Sequence, residues 1–325
     1  RLCMKKISYK LTEIICSSHR PHQITTLRAL FLLLFLLVLL CVSGCIEQKP
    51  ASSSQSLIIA CTIPPQEEFI RAVAGEYPVS VLVMVPPGAS PHTFEPTPSQ
   101  IAGLESADLY LALGSGMEFE NRWLSRIQQQ YPDLPVINMS KEIEIIQIDH
   151  PDTEGAEPEG HDAHEGTDPH VWLSLRNAAR MVDTTAEAMV AVRPDMKDVF
   201  YKNRDSYIQN LTILDHGIST SLQGLKTRTI LVYHPAFGYF CRDYNLTQMA
   251  VEENGREPSA RQLASLITQA RTDGIRIVFA EPEGSTRQAE TLARELNGTM
   301  VLISPLAGNY LENMQHIARE MSGLS

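Results

Sequence analysis

Basic residues are scarce in this chain relative to acidic ones: it has 27 Lys and Arg against 38 Asp and Glu, and a formal net charge of −11. This balance argues against nucleic-acid binding and is compatible with the attraction of cations. Cysteines are also few, and only Cys61 and Cys241 follow Cys45. A disulfide between these two is possible in an oxidising compartment, but we expect two buried free thiols.

The amino-terminal segment has the pattern of a secretory signal. Basic residues precede an unbroken apolar run from Ala29 to Val42, among them Lys5, Lys6, Lys10, Arg20 and Arg28. The run is short for a membrane span, which predicts a cleaved signal peptide over 1–45, with an uncleaved anchor helix as the alternative. The ending VSGC resembles the lipobox of bacterial and archaeal lipoproteins. It predicts a lipid anchor on Cys45, at the outer face of the cytoplasmic membrane.

Strand and helix patterns alternate after a Ser-rich stretch at 46–56, which lacks any period and predicts a flexible tether. Apolar runs of strand length recur in two groups, at 57–61, 79–85 and 108–113 and again at 229–233, 275–280 and 300–303. Helical patterns lie between them, and this alternation predicts parallel sheets with helices on both faces. We expect an N-terminal α/β lobe over 57–194 and a C-terminal α/β lobe over 226–325.

One long helix is predicted over 195–225, between the two lobes. Its apolar residues recur at steps of three and four from Met196 to Leu225. Roughly thirty helical residues make a rod of about 45 Å, which is longer than a small domain needs internally. An ordinary long core helix would show the same periodicity, but a rigid connection between lobes explains the length better.

A run rich in histidine and acidic residues lies at 149–167, inside the first lobe. Between His150 and His170 the sequence has four of the chain's ten histidines, seven Asp or Glu and no Lys or Arg. Too few apolar residues are present for burial, so we expect a solvated loop. Either its histidines are chance members of an acidic linker, or His150, His161 and His164 form an auxiliary, low-affinity set of metal ligands.

Three histidines stand on predicted turns, each close to a proline and an aromatic residue: His92, His170 and His234. His92 and His234 follow predicted strands, as does Glu281, and ligands gather beyond the carboxyl ends of parallel strands. One such histidine alone is more often structural than a metal ligand. Imidazole is nevertheless the commonest neutral metal ligand, and three imidazoles together suit Zn²⁺.

The stretches GASPHTFEP, DPHVWLS and YHPAFGYF, in this order, resemble the motifs of the zinc- and manganese-binding solute receptors of ABC importers. The stretch FAEPEGSTRQAETLAREL is similar to that family's late strand and helix. The resemblance extends from about residue 57 to the end of the chain. It implies two α/β lobes joined by one long rigid helix, metal in the cleft between them, and His92, His170 and His234 as its ligands. The implied partner is the transmembrane permease subunit of an ABC importer, and we expect a monomer.

The fourth ligand is where the chain departs from the resemblance. Many relatives have an acidic residue after the last strand, where this sequence has Ser304 in the run ISPL. Water, Glu281 or a residue of the acidic loop could complete the coordination. Glu281 could equally orient one of the histidines from behind.

Zinc is the expected metal, with manganese or iron(II) as alternatives. Relatives that favour manganese tend to have a carboxylate where His234 stands. Nitrogen-rich sites suit Zn²⁺, whereas oxygen ligands suit Mn²⁺. The loop before His170 also resembles the metal-gathering loop of the zinc-type members.

Two other classes of protein share these residues. Three histidines and an open fourth position are also the ligand set of catalytic zinc, with Glu281 as the general base of a hydrolase. The sequence has no HExxH motif, however. The third class is an adhesin whose metal only stabilises the fold. Because a lipid tether and a two-lobed cleft suit capture and release, we expect high-affinity zinc capture for an ABC permease and no enzymatic activity.

Overall fold

The computed structural model describes residues 56–148, 166–252, 258–284 and 286–323. The predicted signal peptide with Cys45, almost all of the predicted tether, and the loop histidines His150, His161 and His164 lie outside the described residues. Within the described ranges, no helix is both long enough and apolar enough to cross a membrane.

Eight strands and nine α-helices make up the described part of the chain. The strands are β1 (Leu57–Cys61), β2 (Val79–Val83), β3 (Leu109–Ala112), β4 (Val136–Asn138), β5 (Thr229–Val232), β6 (Thr247–Ala250), β7 (Ile277–Ala280) and β8 (Thr299–Leu302). The helices are α1 (Pro64–Ala74), α2 (Pro98–Gly103), α3 (Glu118–Gln130), α4 (Leu175–Val192), α5 (Lys197–Leu222), α6 (Gly238–Tyr244), α7 (Ala260–Thr272), α8 (Thr286–Glu295) and α9 (Tyr310–Ser322). Short 3-10 turns lie at Leu104–Ser106, Val171–Leu173 and Pro194–Met196.

The strands form two four-stranded sheets, in the orders β2-β1-β3-β4 and β6-β5-β7-β8. Every pairing is parallel. The predicted fold class, two parallel-sheet lobes flanked by helices, is confirmed. Strands β4 and β6 were not predicted from the sequence. Both are edge strands with partly exposed residues, so their sequences lack the continuous apolar run of a buried strand.

Helix α5 is the long connection between the lobes. Its 26 residues correspond to a length of about 39 Å. It packs against α1 and α4 of the first lobe and against α9 of the second. It begins after the 3-10 turn Pro194–Met196 and ends at Leu222, so it is a few residues shorter at each end than the predicted 195–225.

A shared apolar core joins the two lobes. Trp172, Phe237 and Tyr310 are each almost completely buried in one hydrophobic cluster that includes strands of both sheets. The Trp172 indole donates a hydrogen bond to the Pro305 carbonyl (2.7 Å), and the Tyr310 hydroxyl donates one to the Trp172 carbonyl (2.6 Å). The polar atoms of these rings are therefore satisfied inside the core, which removes the cost of burying them.

The carboxylate of Glu68 connects three helices: α1, which carries it, α5 and α9. It accepts hydrogen bonds from the Tyr207 hydroxyl of α5 (2.5 Å) and from the Tyr310 and Leu311 amides at the start of α9 (2.5 and 3.3 Å). These amides have no partner within their own helix, so Glu68 satisfies donors that would otherwise be orphaned. One side chain of the first lobe thus caps a helix of the second.

Both cysteines of the folded part are free and buried, as expected. Burial raises the pKa of the Cys61 thiol well above its usual range, and that of the Cys241 thiol to about 12. The thiols are therefore protonated at neutral pH and behave as small apolar side chains.

The contact of Trp172 with both lobes predicts a large stability cost for its removal. Trp172→Ala should lower the free energy of unfolding by about 3–5 kcal/mol, because it leaves a cavity and an unpaired Pro305 carbonyl. Urea denaturation followed by circular dichroism measures this value. The chain offers a matched control in its only other tryptophan, the partly exposed Trp123. Equal losses for Trp172→Ala and Trp123→Ala would contradict a special role for Trp172.

Candidate metal site

The structure brings His92, His170 and His234 together. Their ring nitrogens can be chosen so that all three lie within 4.8 Å of one another. The Nε2 atoms of His170 and His234 are 3.4 Å apart, and the three ring centroids are 4.8–5.4 Å apart. Because nitrogen ligands of one Zn²⁺ each lie about 2.0–2.1 Å from the ion, they must be within about 4 Å of each other, so this spacing is close to that of a bound site.

Each histidine reaches the cleft from the carboxyl end of a strand or from the start of a helix. His92 lies on the segment after β2, and His234 follows β5. His170 directly precedes the 3-10 turn Val171–Leu173 that leads into α4. The cleft has a volume of about 310 Å³ and is lined by residues of both lobes. The site therefore depends on the relative position of the two sheets.

A carboxylate lies behind each imidazole. His92 Nδ1 is 2.8 Å from Glu118 Oε2, and His170 Nδ1 is 2.8 Å from Asp168 Oδ1. The third pair is formed by His234 Nδ1 and Glu252 Oε2, 3.1 Å apart. A carboxylate can only accept from a ring N–H, so it favours the tautomer with the proton on Nδ1. All three Nε2 lone pairs are then available for a cation.

The loop that carries His92 is held by the first turn of α3. Arg122 donates from Nη2 to the His92 carbonyl (2.9 Å) and from Nε to the Glu118 carbonyl (3.2 Å). The hydrogen bond from His92 keeps the pKa of Glu118 below its usual range, although burial of this carboxyl acts in the opposite direction. Glu118 is therefore ionised at neutral pH and can accept the Nδ1 proton of His92.

Burial is the main determinant of the charge of His170. It lowers the pKa of this imidazole to about 4, against the opposing effect of Asp168, and the neighbouring His234 and His92 lower it further. His170 is 4% exposed, so its charged form is poorly solvated. The ring is neutral at pH 7, which is the state that a metal requires.

Glu281 also lines the cleft, directly after β7. Among the described residues its Oε1 is buried and has no hydrogen-bond partner. Burial, followed by the charges of Glu283 and Glu252, raises the pKa of Glu281 well above its usual range. Without a cation nearby, burial therefore favours the neutral form of this carboxyl. Among the described residues, the Nδ1 atoms of the three histidines contact carboxylates other than that of Glu281.

Ser304, where the resemblance led us to expect an acidic residue, belongs to a local hydrogen-bond network. Its hydroxyl donates to Glu283 Oε1 (2.8 Å) and accepts from the Leu306 amide (3.1 Å). The hydroxyl is therefore engaged by the protein, and Glu283 places a second carboxyl beside Glu281.

The three carboxylates behind the imidazoles were not predicted from the sequence. Asp168 had a local signal, since it stands two residues before His170 in the DPH motif and also accepts from the His170 amide (2.9 Å). Glu118 and Glu252 had none, because they lie 26 and 18 residues away from their histidines along the chain. Only the packing of α3 and the end of β6 brings them into contact with the site.

Two α/β lobes with a histidine-lined cleft at their strand ends define a two-lobed binding protein whose cleft can hold a metal ion. The family model described as the periplasmic component A of the zinc-uptake complex, ZnuA, matches residues 59–323. The chain belongs to this family, as the resemblance of its motifs implied.

Individual relatives support the same assignment. The high-affinity zinc uptake system protein ZnuA of Bacillus subtilis (strain 168) is 28% identical over 278 residues, which cover 84% of this chain and 86% of that protein. The zinc-binding lipoprotein AdcA of Streptococcus pneumoniae is 29% identical over 286 residues, which are 86% of this chain but only 56% of AdcA. A crystal structure of ZnuA has a TM-score of 0.76 and 32% sequence identity, covering 83% of this chain and 99% of that one. The expected two-lobed fold is thereby confirmed.

Removal of a carboxylate behind an imidazole should weaken metal binding without removing a ligand. Glu118→Ala is expected to lower zinc affinity roughly 10- to 100-fold, because His92 loses the acceptor that orients its ring and fixes its tautomer. Isothermal titration calorimetry measures the change. Glu105→Ala, at an exposed glutamate of the same lobe, is the matched control. An unchanged affinity for Glu118→Ala would show that His92 is oriented without it.

The low pKa of His170 predicts how the stability of the metal-free protein depends on pH. Unfolded His170 takes up a proton below about pH 6.5, whereas the folded protein does so only near pH 4. The unfolded state therefore binds more protons in this window, and stability falls as the pH is lowered through it. The contribution of His170 to the loss between pH 7 and pH 4 should be about 3 kcal/mol.

Urea denaturation with a chelator at pH 7, 5.5 and 4 tests this dependence. His170→Gln should lose less stability over the same range than the wild-type protein, because glutamine does not titrate. His316→Gln, at a partly exposed histidine, is the control and should follow the wild type. Parallel pH curves for His170→Gln and the wild type would contradict the assignment to His170.

Proposed function

We propose that this protein captures Zn²⁺ outside the cytoplasmic membrane and delivers it to an ABC-type permease. The observation that carries the proposal is the convergence of three imidazoles, each with a carboxylate at Nδ1, in one cleft between the lobes. Zinc is the cargo in this proposal and is released intact. The zinc-uptake family to which the chain belongs, and the zinc-related names of its relatives, support the same function.

His92, His170 and His234 are the proposed ligands, through Nε2. Neutral imidazoles add no charge to the site, so the dipositive ion gains its electrostatic stabilisation from Glu118, Asp168 and the other carboxylates around it. Three nitrogen ligands favour Zn²⁺ over Mn²⁺, which prefers oxygen. A manganese or iron(II) receptor of the same family is the alternative.

Glu281 is the proposed fourth ligand. Its buried Oε1 has no partner among the described residues and lines the cleft, and a buried carboxyl oxygen without a partner is unfavourable. A cation in the cleft would stabilise the deprotonated form, and the released proton would accompany binding. The alternative is that Glu281 orients one of the histidines and does not bind the ion itself.

Capture, rather than catalysis, fits the ionisation of the cleft. In a zinc hydrolase, Glu281 would have to act as a general base near pH 7. In the metal-free cleft, burial and the neighbouring Glu283 favour the protonated form. With the ion bound, Glu281 is the proposed fourth ligand, so its carboxylate is not free to accept a proton from water. The hydrolase alternative therefore has less support than a receptor, and an adhesin stabilised by metal stays the other alternative.

Attachment through lipid on Cys45 is proposed from the lipobox alone, and the tether over 46–56 would let the lobes reach the permease. The loop histidines His150, His161 and His164 are proposed to collect metal with low affinity. A flexible set of ligands loses chain entropy on binding, so its affinity should fall well below that of the cleft. The proposed domain boundaries remain 57–194 for the first lobe, 195–225 for the linking helix and 226–325 for the second lobe.

Single substitutions of the proposed ligands test the function. His92→Ala, His170→Ala and His234→Ala should each lower zinc affinity at least about 100-fold, because a site that loses one of three imidazoles must replace it with water. Glu281→Gln should cost less and should reduce the number of protons released per zinc bound. Isothermal titration in two buffers of different ionisation enthalpy measures both quantities.

The remote His316→Ala is the control for these variants and should bind like the wild type. Near-normal affinity in one of the three histidine variants would remove that residue from the site. Tighter binding of Mn²⁺ than of Zn²⁺ by the wild type would favour the manganese alternative. Failure of the wild-type protein to bind either ion would overturn the proposed function.

A further inference from the structure

We propose that Gly238, a residue of the second lobe, is a positioning residue for His170 of the first, because only glycine leaves room for the carboxylate of Asp168. The proposal rests on the proposed function, since it concerns the same cleft. It adds a requirement that neither the histidines nor their carboxylates reveal by themselves.

The contact between Gly238 and Asp168 is closer than any side chain allows. A Cβ atom built on Gly238 would lie 2.3 Å from Asp168 Oδ2 and 3.5 Å from Asp168 Cγ. Real Cβ atoms do not approach another atom to within 3.0 Å, so one of the two residues would have to move. Asp168 has little freedom to do so, because it is 4% exposed.

The other carboxylate oxygen of Asp168 is committed to His170. Asp168 Oδ1 accepts from the His170 amide (2.9 Å) and lies 2.8 Å from His170 Nδ1. A shift of the carboxylate away from Gly238 would therefore change both contacts together. The imidazole would lose the group that fixes its tautomer and its direction.

The backbone of Asp168 is held on the same side by the neighbour of Gly238. The Tyr239 hydroxyl donates to the Asp168 carbonyl (3.0 Å) and accepts from the Ile146 amide (3.0 Å). The segment that starts at His234 thus supplies one proposed ligand and, through Gly238 and Tyr239, supports the residue behind another. Correct placement of His170 depends on close contact between the lobes at this point.

Space, rather than backbone conformation, explains the glycine. Gly238 is the first residue of α6 and does not have a positive φ. Alanine would fit such a backbone and is the better helix former, so nothing in the helix itself favours glycine here. Glycine is favoured because the carboxylate of Asp168 occupies the space that a Cβ atom would need.

A double-mutant cycle tests the proposal. Gly238→Ala should lower zinc affinity roughly 10- to 100-fold, the usual cost of disturbing a residue behind a metal ligand. Asp168→Ala should cost a similar factor. In the double variant, Gly238→Ala should add less than about a twofold change to Asp168→Ala, because the carboxylate that it displaces is gone. Gly217→Ala is the matched control, because a Cβ there meets nothing within 4 Å.

A second readout on the metal-free protein separates positioning from a general loss of stability. Imidazole ¹⁵N shifts should show His170 protonated at Nδ1 in the wild type and in Gly217→Ala, and a mixture of tautomers in Gly238→Ala. This measurement does not depend on zinc, so a wild type that bound no zinc would overturn the proposed function and leave this test intact.

Three results would overturn the role of Gly238. The first is wild-type affinity together with a wild-type tautomer in Gly238→Ala, and the second is an unchanged His170 tautomer in a Gly238→Ala protein with weakened binding. The third is a loss of affinity in the double variant equal to the product of the single losses. If Gly238→Ala alone does not fold, the double variant decides. Folding with the affinity of Asp168→Ala supports the proposal, and failure to fold overturns it.

Discussion

The apolar contact between the two lobes is the constraint on which the rest of the structure depends. Trp172 lies in the turn directly after His170, and its indole bonds to the chain of the second lobe at Pro305. Displacement of one lobe against the other would therefore move His170 relative to His234. Because packed cores resist small deformations, this contact fixes the spacing of the three imidazoles.

Burial also controls the charge of the cleft. His170, next to Trp172, is buried deeply enough that its imidazole stays neutral at pH 7, and burial raises the pKa of Glu281 well above its usual range. Three carboxylates lie behind the rings, where they accept hydrogen bonds from Nδ1. The cleft therefore presents ring nitrogen atoms to an incoming cation, with these carboxylates at longer range.

Much of this arrangement could be predicted from the sequence. Alternating apolar runs and helical patterns indicated two parallel-sheet lobes. The helical spacing of apolar residues, which continues without a break from Met196 to Leu225, indicated the connecting helix. The edge strands β4 and β6 were missed because an edge strand needs no continuous apolar run. The three histidines stood out because each lies in a short motif at a turn, whereas Glu118 and Glu252 carried no signal along the chain.

The sequence by itself determined the class of fold, the positions at which histidines would stand, and the family. These properties follow from local patterns, since the period of apolar residues and the turn chemistry act over a few residues. The tertiary structure alone decided which carboxylate lies behind which imidazole, how deeply His170 is buried, and why residue 238 has no side chain. Each of these depends on contacts between residues far apart in the chain, and such contacts exist only once both lobes have packed together.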